Sequence, residues 1–338
     1  MEFSGIHRVN APNPRVKIGK RLTAADVHVD RLETTQSMAY MQLAENFVAG
    51  RAFPNIPSQD RSNLYALYTK SFWLKSQMLR RAPGAGSAEL HYGVDNTNSY
   101  TCNVMAGHMP LDEQTAANAQ APYEPARDNQ EFMTQQALLF KEIEWAAAYF
   151  AQSIWGTDAT PGTKWDQSSS SPISEMRTGL RTVQQNTGIR PNIAIFGQQA
   201  WDIIVDHADL VGRTDRGQTT GTALVTRQTV AALLELDEVL VMGSVQNTDD
   251  VGQSGTYAFI GDTDAVLLLH RPARPGRRTP SAGYTYSWSG LLGANALGGR
   301  ITSWFEPSRK ADIQEIELAY TFVVTGADLG YFIHTVST

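Results

Sequence analysis

Apolar positions between residues 128 and 154 recur at spacings of three, four and seven, with no glycine or proline among them. This is the helical period, so we predict a helix over 128–154, roughly 40 Å long. Asp128 and Glu131 have the spacing of a capping box at its start, and Gly156 is placed to cap its end. Lys141 and Glu142 fall off the predicted apolar face, which consists of Phe132, Leu139, Ile143, Ala146, Phe150 and Ile154.

A different pattern, in which apolar residues alternate with polar ones, precedes this helix. Residues 88–94 and 100–104 alternate on either side of the polar turn 95–98, which predicts a hairpin. It belongs to a longer two-stranded excursion over about 58–112, with a glycine-rich tip at 82–87. An isolated hairpin is marginally stable, so we expect this excursion to require a partner surface.

The second half of the chain alternates short apolar runs with helical patterns. We predict strands at 192–196, 239–242, 257–260 and 265–269, and helices at 173–186, 198–207 and 229–236. Together they indicate a compact α/β unit over about 189–297. The tail returns to long strands at 301–305, 313–324 and 331–336, which need a helix to cover them, and the helix over 128–154 is the expected cover.

Composition limits the class of protein. The 338 residues are 42% hydrophobic and 18% charged, enough to bury a core, and the net charge of -6 argues against a surface that clamps nucleic acid everywhere. The single cysteine, Cys102, excludes an intrachain disulfide and a multi-thiolate metal site. We find no signal-peptide pattern at the N-terminus and no apolar run that could span a bilayer, and so expect an untargeted protein with no membrane partner.

Candidate chemistry is sparse. The seven histidines form no zinc-binding motif, no serine lies in a Gly-x-Ser-x-Gly elbow, and Cys102 lies on a predicted strand. Residues 293–300 have the glycine spacing of a phosphate loop but lack its Lys and Ser/Thr, which leaves an α/β enzyme for a phosphorylated ligand as a remote alternative. One dense basic run provides candidates for contact with DNA or with a neighbouring subunit, a solvated loop being the alternative: Arg271, Arg274, Arg277 and Arg278.

The order of several short motifs resembles that of the major capsid proteins of tailed phages. These motifs are 82–84 with 100–102, 110–113 leading through 116–122, 144–147, 196–201 with His207, 279–286, and the run from Tyr320 through Asp328 to Tyr331. The resemblance covers most of the chain. It implies the α+β, Hong Kong 97-type capsid fold, with an N-terminal arm over 1–57, an extended E-loop over 58–112, a peripheral domain over 113–188 and 298–338, and an axial α/β domain over 189–297.

The resemblance also implies a function by assembly. Copies of the chain would form the pentamers and hexamers of an icosahedral virion shell that encloses double-stranded DNA, assembled in the host cytoplasm, without catalysis, metal or cofactor. A separate scaffolding protein, a portal and a decoration protein are the further expected partners. Encapsulins, which package an enzyme, resemble the same architecture and are the alternative.

Subunit contacts are expected at the E-loop, through Lys75, Arg80, Arg81, Pro83, Gly84, Ala85 and Gly86. Some relatives cross-link their subunits through an E-loop lysine and a peripheral-domain asparagine. Lys70 and Lys75 lie in the predicted E-loop, but no asparagine and glutamate can be matched to them. We therefore expect no covalent cross-link.

Overall fold

The structure is a computed structural model that describes residues 41–119, 124–214, 225–250, 255–276, 278–293 and 299–338. Its helices are α1 (Ala49–Ala52), α2 (Lys70–Trp73), α3 (Glu113–Asn118), α4 (Pro125–Tyr149), α5 (Pro172–Thr187), α6 (Gln198–Asp206), α7 (Ala208–Thr214), α8 (Arg227–Leu234) and α9 (Ser289–Leu292). Residues 1–40 of the predicted arm, Arg277 and residues 294–298 lie outside the described residues.

Most strands belong to two five-stranded sheets. The long sheet contains β1 (Asn55–Ser58), β6 (Asn103–Asp112), β13 (Gly283–Trp288), β14 (Gly299–Glu306) and β15 (Ala311–Val324). The second sheet contains β7 (Thr157–Ala159), β8 (Ile193–Gly197), β9 (Glu238–Met242), β12 (Ala265–Leu269) and β16 (Gly330–His334). Short two-stranded ladders join β2 (Ser62–Leu64) to β5 (Ser99–Thr101), β3 (Leu67–Tyr68) to β4 (Val94–Asp95), and β10 (Val245–Asn247) to β11 (Tyr257–Phe259).

The second sheet is the middle layer of its half of the molecule. Its strand order is β7, β16, β12, β8, β9, and every residue of β8 and β12 is buried. Val266 and Leu268 belong to a core under α5, α6 and α8. Leu267 and Leu269 face a second core, which is built from α4 and from residues 48–53, here called the arm junction. A strand covered on both faces needs an apolar residue at every position, which explains the unbroken run of β12.

One predicted strand, β16, lies in a different sheet from the one the sequence indicated, and another strand, β13, was not predicted. β16, grouped by sequence with the long strands of the tail, pairs with β12, placing Tyr331 opposite Leu268. β13 falls inside 189–297 but pairs with β15 in the long sheet, where Tyr286 lies opposite Thr321. Periodicity identifies a strand without identifying its partner, which is decided by packing far along the chain. The domain boundaries and the names peripheral and axial stay predictions.

The long helix α4 starts earlier than predicted. It spans Pro125–Tyr149 rather than 128–154, and a proline occupies its first turn, where the missing N–H has no helical partner to lose. Asp128 and Glu131 are therefore inside the helix and form no capping box. Glu131 instead accepts a hydrogen bond from Arg127 Nε at 2.9 Å.

The helix also ends earlier, before the predicted cap at Gly156. After Tyr149 the chain turns inward and buries Phe150 and Trp155. Gly156 has a packing role, because a Cβ there would lie 2.7 Å from Asp328 Cα. The prediction extended the helix too far, because the apolar residues of this buried turn continue the helical spacing.

The buried face of α4 is broader than the predicted one and includes most of it. Ala146 is buried, and Leu139 and Ile143 pack against the same core. Phe132 is 51% exposed, whereas Lys141 and Glu142, expected off the face, are 5% and 0% exposed. Met133 and Ala137, which are not on the predicted face, pack on the long sheet. The expectation that this helix covers the strands of the tail holds for β15, and the side chains that make the contact differ.

Lys141 and Glu142 are buried because each has a specific partner. Lys141 Nζ lies 5.1 Å from the ring centre of Tyr320. The Glu142 carboxylate accepts hydrogen bonds from the N–H groups of Val48 at 2.9 Å and Ala49 at 2.8 Å, at the start of α1. Burial lowers the pKa of Lys141 to about 8 and raises the pKa of Glu142 to about 7, while these N–H groups and Lys141 oppose the rise.

Phe53 lies where α4 meets the long sheet. Its ring centre is 5.7 Å from that of Trp145 and 6.1 Å from that of Phe322. Gly283 on β13 faces the ring so closely that an added Cβ would lie 2.3 Å from the nearest ring carbon. Residues 47–53, the end of the segment predicted as an arm, contribute five buried hydrophobic side chains and are part of the core.

Glu142→Gln tests the buried carboxylate. The amide has one acceptor oxygen and turns an NH₂ group towards backbone donors, so we expect a loss of about 1–3 kcal/mol in the free energy of unfolding. The wild type should lose stability as the pH rises from 4.5 to about 7, because the unfolded chain releases this proton first. The free energy of unfolding, measured with urea at each pH, should fall less steeply with pH for Glu142→Gln than for the wild type. An equal pH dependence in the two proteins would contradict the assignment.

Gly283→Ala tests the contact with Phe53. We expect a loss of about 1–3 kcal/mol in the free energy of unfolding, since the new methyl group has no space beside the ring. Gly107→Ala on β6 is the matched control, because a Cβ there meets nothing within 4 Å. Combining Gly283→Ala with Phe53→Leu should cost less than the sum of the two single changes. Additive costs would show that the two residues do not share this space.

Candidate assembly interface

The ends of the segment predicted as the E-loop, 58–112, belong to strands β1 and β6 of the long sheet. Residues 62–101 between them form a projection from that sheet, and the name E-loop is used for these residues from here on. Its two limbs pair first through β2 and β5, then through β3 and β4. Farther out, Gln77 Nε2 donates to the His91 carbonyl at 2.7 Å, and the His91 N–H donates to Gln77 Oε1 at 2.8 Å. The predicted hairpin over 88–104 is wrong in its pairing. The segments expected to pair with each other both lie in the returning limb, and each pairs with the outgoing limb.

The tip of the E-loop is a turn closed by the Ala85 N–H donating to the Ala82 carbonyl at 3.1 Å. Gly84 has a φ of 79°, in the region that favours glycine. Every residue that the sequence placed at a subunit contact is exposed here: Lys75, Arg80, Arg81, Pro83, Gly84, Ala85 and Gly86. Their role in subunit contact stays a prediction.

Apolar side chains are exposed along the whole E-loop. It holds nine of the twenty large hydrophobic residues that are exposed in the described chain. They are Leu64, Phe72, Trp73, Leu74, Met78, Leu79, Leu90, Tyr92 and Val94. Apolar surface concentrated in this way marks a contact surface for another molecule.

At its base the E-loop is fixed to the long sheet by stacked tyrosines. The Tyr100 ring lies 4.1 Å from that of Tyr286 on β13, at an interplanar angle of 5°. The hydroxyls of Tyr100 and Ser58 lie 2.6 Å apart. Burial raises the pKa of Tyr286 to about 12. The base is thus a packed aromatic contact, whereas the outer part of the loop is open.

Two cationic contacts hold the outgoing limb against the rest of the chain. Lys70 Nζ forms an ion pair with Asp328. Arg278 Nε donates to the Tyr68 hydroxyl at 3.2 Å, with the guanidinium 5.4 Å from the ring centre. No local sequence pattern predicts either contact, because each joins residues more than 200 positions apart.

The basic run does not act as one surface. Arg271 donates to Glu238 at 3.1 Å and to the Arg51 carbonyl, so its guanidinium is used within the chain. Arg278 contacts the E-loop, Arg274 is exposed, and Arg277 lies outside the described residues. Contact of this run with DNA or a neighbouring subunit stays a prediction, for which Arg274 is the accessible described candidate.

Cys102 is unsuited to nucleophilic catalysis. It is fully buried, its Sγ lies 3.5 Å from the Tyr286 carbonyl, and burial raises the pKa of its thiol to about 11. Its thiolate is therefore scarce at neutral pH.

The structure brings together one serine and histidine, Ser170 and His207, both buried, with Oγ and Nε2 2.9 Å apart. The Asp209 N–H donates to His207 Nδ1 at 3.0 Å. In the neutral ring the proton is then on Nε2, so His207 cannot accept the Ser170 proton. This pair holds the loop before α5 to the start of α7.

Other kinds of site have no support in the described part of the chain. Its His, Cys, Asp and Glu side chains form no group of three or more suited to a metal ion. None of the helices described is long and apolar enough to cross a membrane. In the segment with phosphate-loop glycine spacing, strand β14 begins at Gly299, so a strand follows as the sequence indicated. Arg300 on this strand forms an ion pair with Glu317 at 2.7 Å.

The sequence matches no protein-family model and no curated protein. The fold, however, matches solved structures. A phage-related protein from Bordetella bronchiseptica superposes with a TM-score of 0.67 at 18% identity, covering 87% of this chain and 93% of that one. The capsid structure of cyanophage P-SCSP1u gives a TM-score of 0.57 at 10% identity, covering 89% and 90% of the two chains.

An encapsulin from Synechococcus elongatus is similar as well, with a TM-score of 0.53 at 12% identity, covering 92% of this chain and 96% of the encapsulin. Identities this low show a shared fold and leave function open. The sequence motifs and the solved structures agree on that fold. This chain has the Hong Kong 97-type capsid fold, the fold of tailed-phage capsid proteins.

Proposed function

We propose that the protein is the major capsid protein of a tailed phage, whose copies form the pentamers and hexamers of an icosahedral shell around double-stranded DNA. The observation that carries the proposal is the E-loop. It projects from a chain with its own buried core, and it exposes nine large apolar side chains. Such a surface is satisfied by a neighbouring subunit, and a copy of the same chain is the neighbour that a shell provides.

The proposed role is structural and not enzymatic. The buried Ser170 and His207 cannot form an activated pair, and burial suppresses the thiolate of Cys102. The Cys102 contact instead joins the base of the E-loop to β13. A scaffolding protein, a portal, a decoration protein and packaged DNA are the further partners in this proposal, with assembly in the host cytoplasm.

Electron microscopy of the protein, expressed alone and passed over a sizing column, tests the proposal. We expect closed shells or capsomer-sized rings. A homogeneous monomer at the protein concentration used for microscopy would contradict the proposal. Nucleic acid inside particles isolated from their native source supports a phage shell, whereas a co-purifying enzyme within them would show the encapsulin function instead.

Gly86→Trp separates the assembly role of the tip from folding. A Cβ at Gly86 meets nothing within 4 Å in the chain, so the monomer should unfold at the same urea concentration as the wild type. We expect the indole to block the contact with a neighbour, so that shells are lost in electron micrographs. Gly86→Ala is the matched control and should assemble normally. Normal shells from Gly86→Trp would show that the tip is not at an interface.

A further inference from the structure

Helix α5 carries two arginines that form no ion pair with the described residues. Arg177 and Arg181 are exposed, one turn apart, and line a surface cavity of about 370 Å³ together with Arg190 and Glu235. Arg190 pairs with Glu235 at 3.3 Å, and no described carboxylate lies within ion-pair distance of the other two arginines. Like charges at this spacing repel each other and destabilise a helix.

Part of this arrangement serves the fold. Arg177 donates to the Leu233 carbonyl at 3.0 Å, at the end of α8, where backbone carbonyls lack helical partners. Arg181 makes no hydrogen bond or ion pair with any other described residue. The hydrogen bond of Arg177 therefore has a role in the fold, whereas no contact with the described residues gives the Arg181 guanidinium a role there.

Helix α6 carries the opposite arrangement. Asp202 and Asp206 are exposed and also one turn apart. Asp202 accepts a hydrogen bond from Gln198 in the same helix at 2.9 Å, and neither aspartate has a basic partner among the described residues. Both helices pack on the same face of the second sheet, yet no ion pair joins them.

We propose that Arg177 and Arg181 of one copy pair with Asp202 and Asp206 of the next copy around a ring of subunits. A head-to-tail contact brings the basic face of each copy to the acidic face of its neighbour. Both pairs have the spacing of one helical turn, about 5–6 Å between Cβ atoms, so two ion pairs can form together. The inference rests on the proposed function, since the neighbour is a second copy of this chain.

Charge complementarity favours this partner over a free anion or nucleic acid. Either of those would neutralise the arginines and leave Asp202 and Asp206 facing each other uncompensated. A second copy neutralises both pairs with one contact. Electrostatic complementarity of this kind fixes which surfaces meet and speeds their encounter.

Charge reversal in both directions tests the contact. R177D/R181D and D202R/D206R should each lower ring formation at least about tenfold, measured by native mass spectrometry and sizing at low salt. The quadruple variant R177D/R181D/D202R/D206R has the net charge of the wild type and should form rings again. An equimolar mixture of the two double variants should form six-membered rings and no five-membered ones, because copies with two acidic faces must alternate with copies that have two basic faces.

Each result separates the possibilities. Rings at the wild-type level from either double variant, or no recovery in both the quadruple variant and the mixture, would overturn the proposed contact. Normal rings from R177D/R181D with less DNA retained in shells would assign the arginines to nucleic acid. Wild-type protein that forms neither rings nor shells would contradict the proposed function itself.

A second measurement avoids charge reversal, in case Arg177 is needed for folding. Arg181→Cys and Asp202→Cys are single changes, and the native Cys102 is fully buried and its thiol pKa is raised to about 11, so it should not react. A short bismaleimide should link the two variants into covalent dimers when they are mixed, and should link neither variant alone. No dimers in the mixture, although wild-type rings form under the same conditions, would overturn the contact.

Discussion

The packing of Phe53 against Gly283 fixes how the arm junction, helix α4 and the long sheet come together. The ring fills the space that a side chain on β13 would occupy, and aromatic rings from α4 and β15 surround it. Immediately after Phe53, β1 pairs with β13, while Glu142 binds the N–H groups just before it. The same few residues therefore set the edge of the long sheet and the position of the helix that covers it.

This anchoring explains why the E-loop is left exposed. The core of the chain is closed by its own residues, since β8 and β12 are buried on both faces. The E-loop contacts that body through Tyr100 at its base and through Tyr68 and Lys70 on its outgoing limb. Nine of its large apolar side chains remain exposed. The chain thus has a body with a complete core and an extension whose apolar side chains are exposed. This is the arrangement expected of a subunit that is stable alone and assembles through its extension.

Sequence patterns predicted those elements whose signals are local. Helix α5 was placed within one residue at each end by a starting proline and by Gly188, which caps it with a φ of 75°. The apolar runs of β8 and β12 predicted strands, and the motif order predicted the fold. What failed depends on distant partners: burial of Glu142 requires N–H groups 94 residues away, and β16 joins a sheet built from earlier strands.

At the candidate interface, too, local features were predicted from the sequence and long-range ones were not. The glycine-rich tip at 82–87 was predicted from local turn residues and is an exposed turn. The two-stranded excursion was predicted as well, but the hairpin between 88–94 and 100–104 was wrong, because the turn at Asp95 mimics a hairpin turn. The Asp95 carboxylate accepts a hydrogen bond from the Thr97 N–H at 2.9 Å, which closes a local turn within one limb. The charged faces of α5 and α6 carry no sequence motif, and their complementarity became visible only with the helices placed on one sheet.

Hydrogen–deuterium exchange of the unassembled subunit and of assembled particles tests most directly that the body is complete in one copy and that the E-loop is completed by others. Amide protection in β8 and β12 should be the same in both states. The outer part of the E-loop, residues 75–92, should be poorly protected in the subunit and strongly protected in the particle. Equal protection of the E-loop in the two states, or loss of protection in β8 and β12 in the free subunit, would contradict this division.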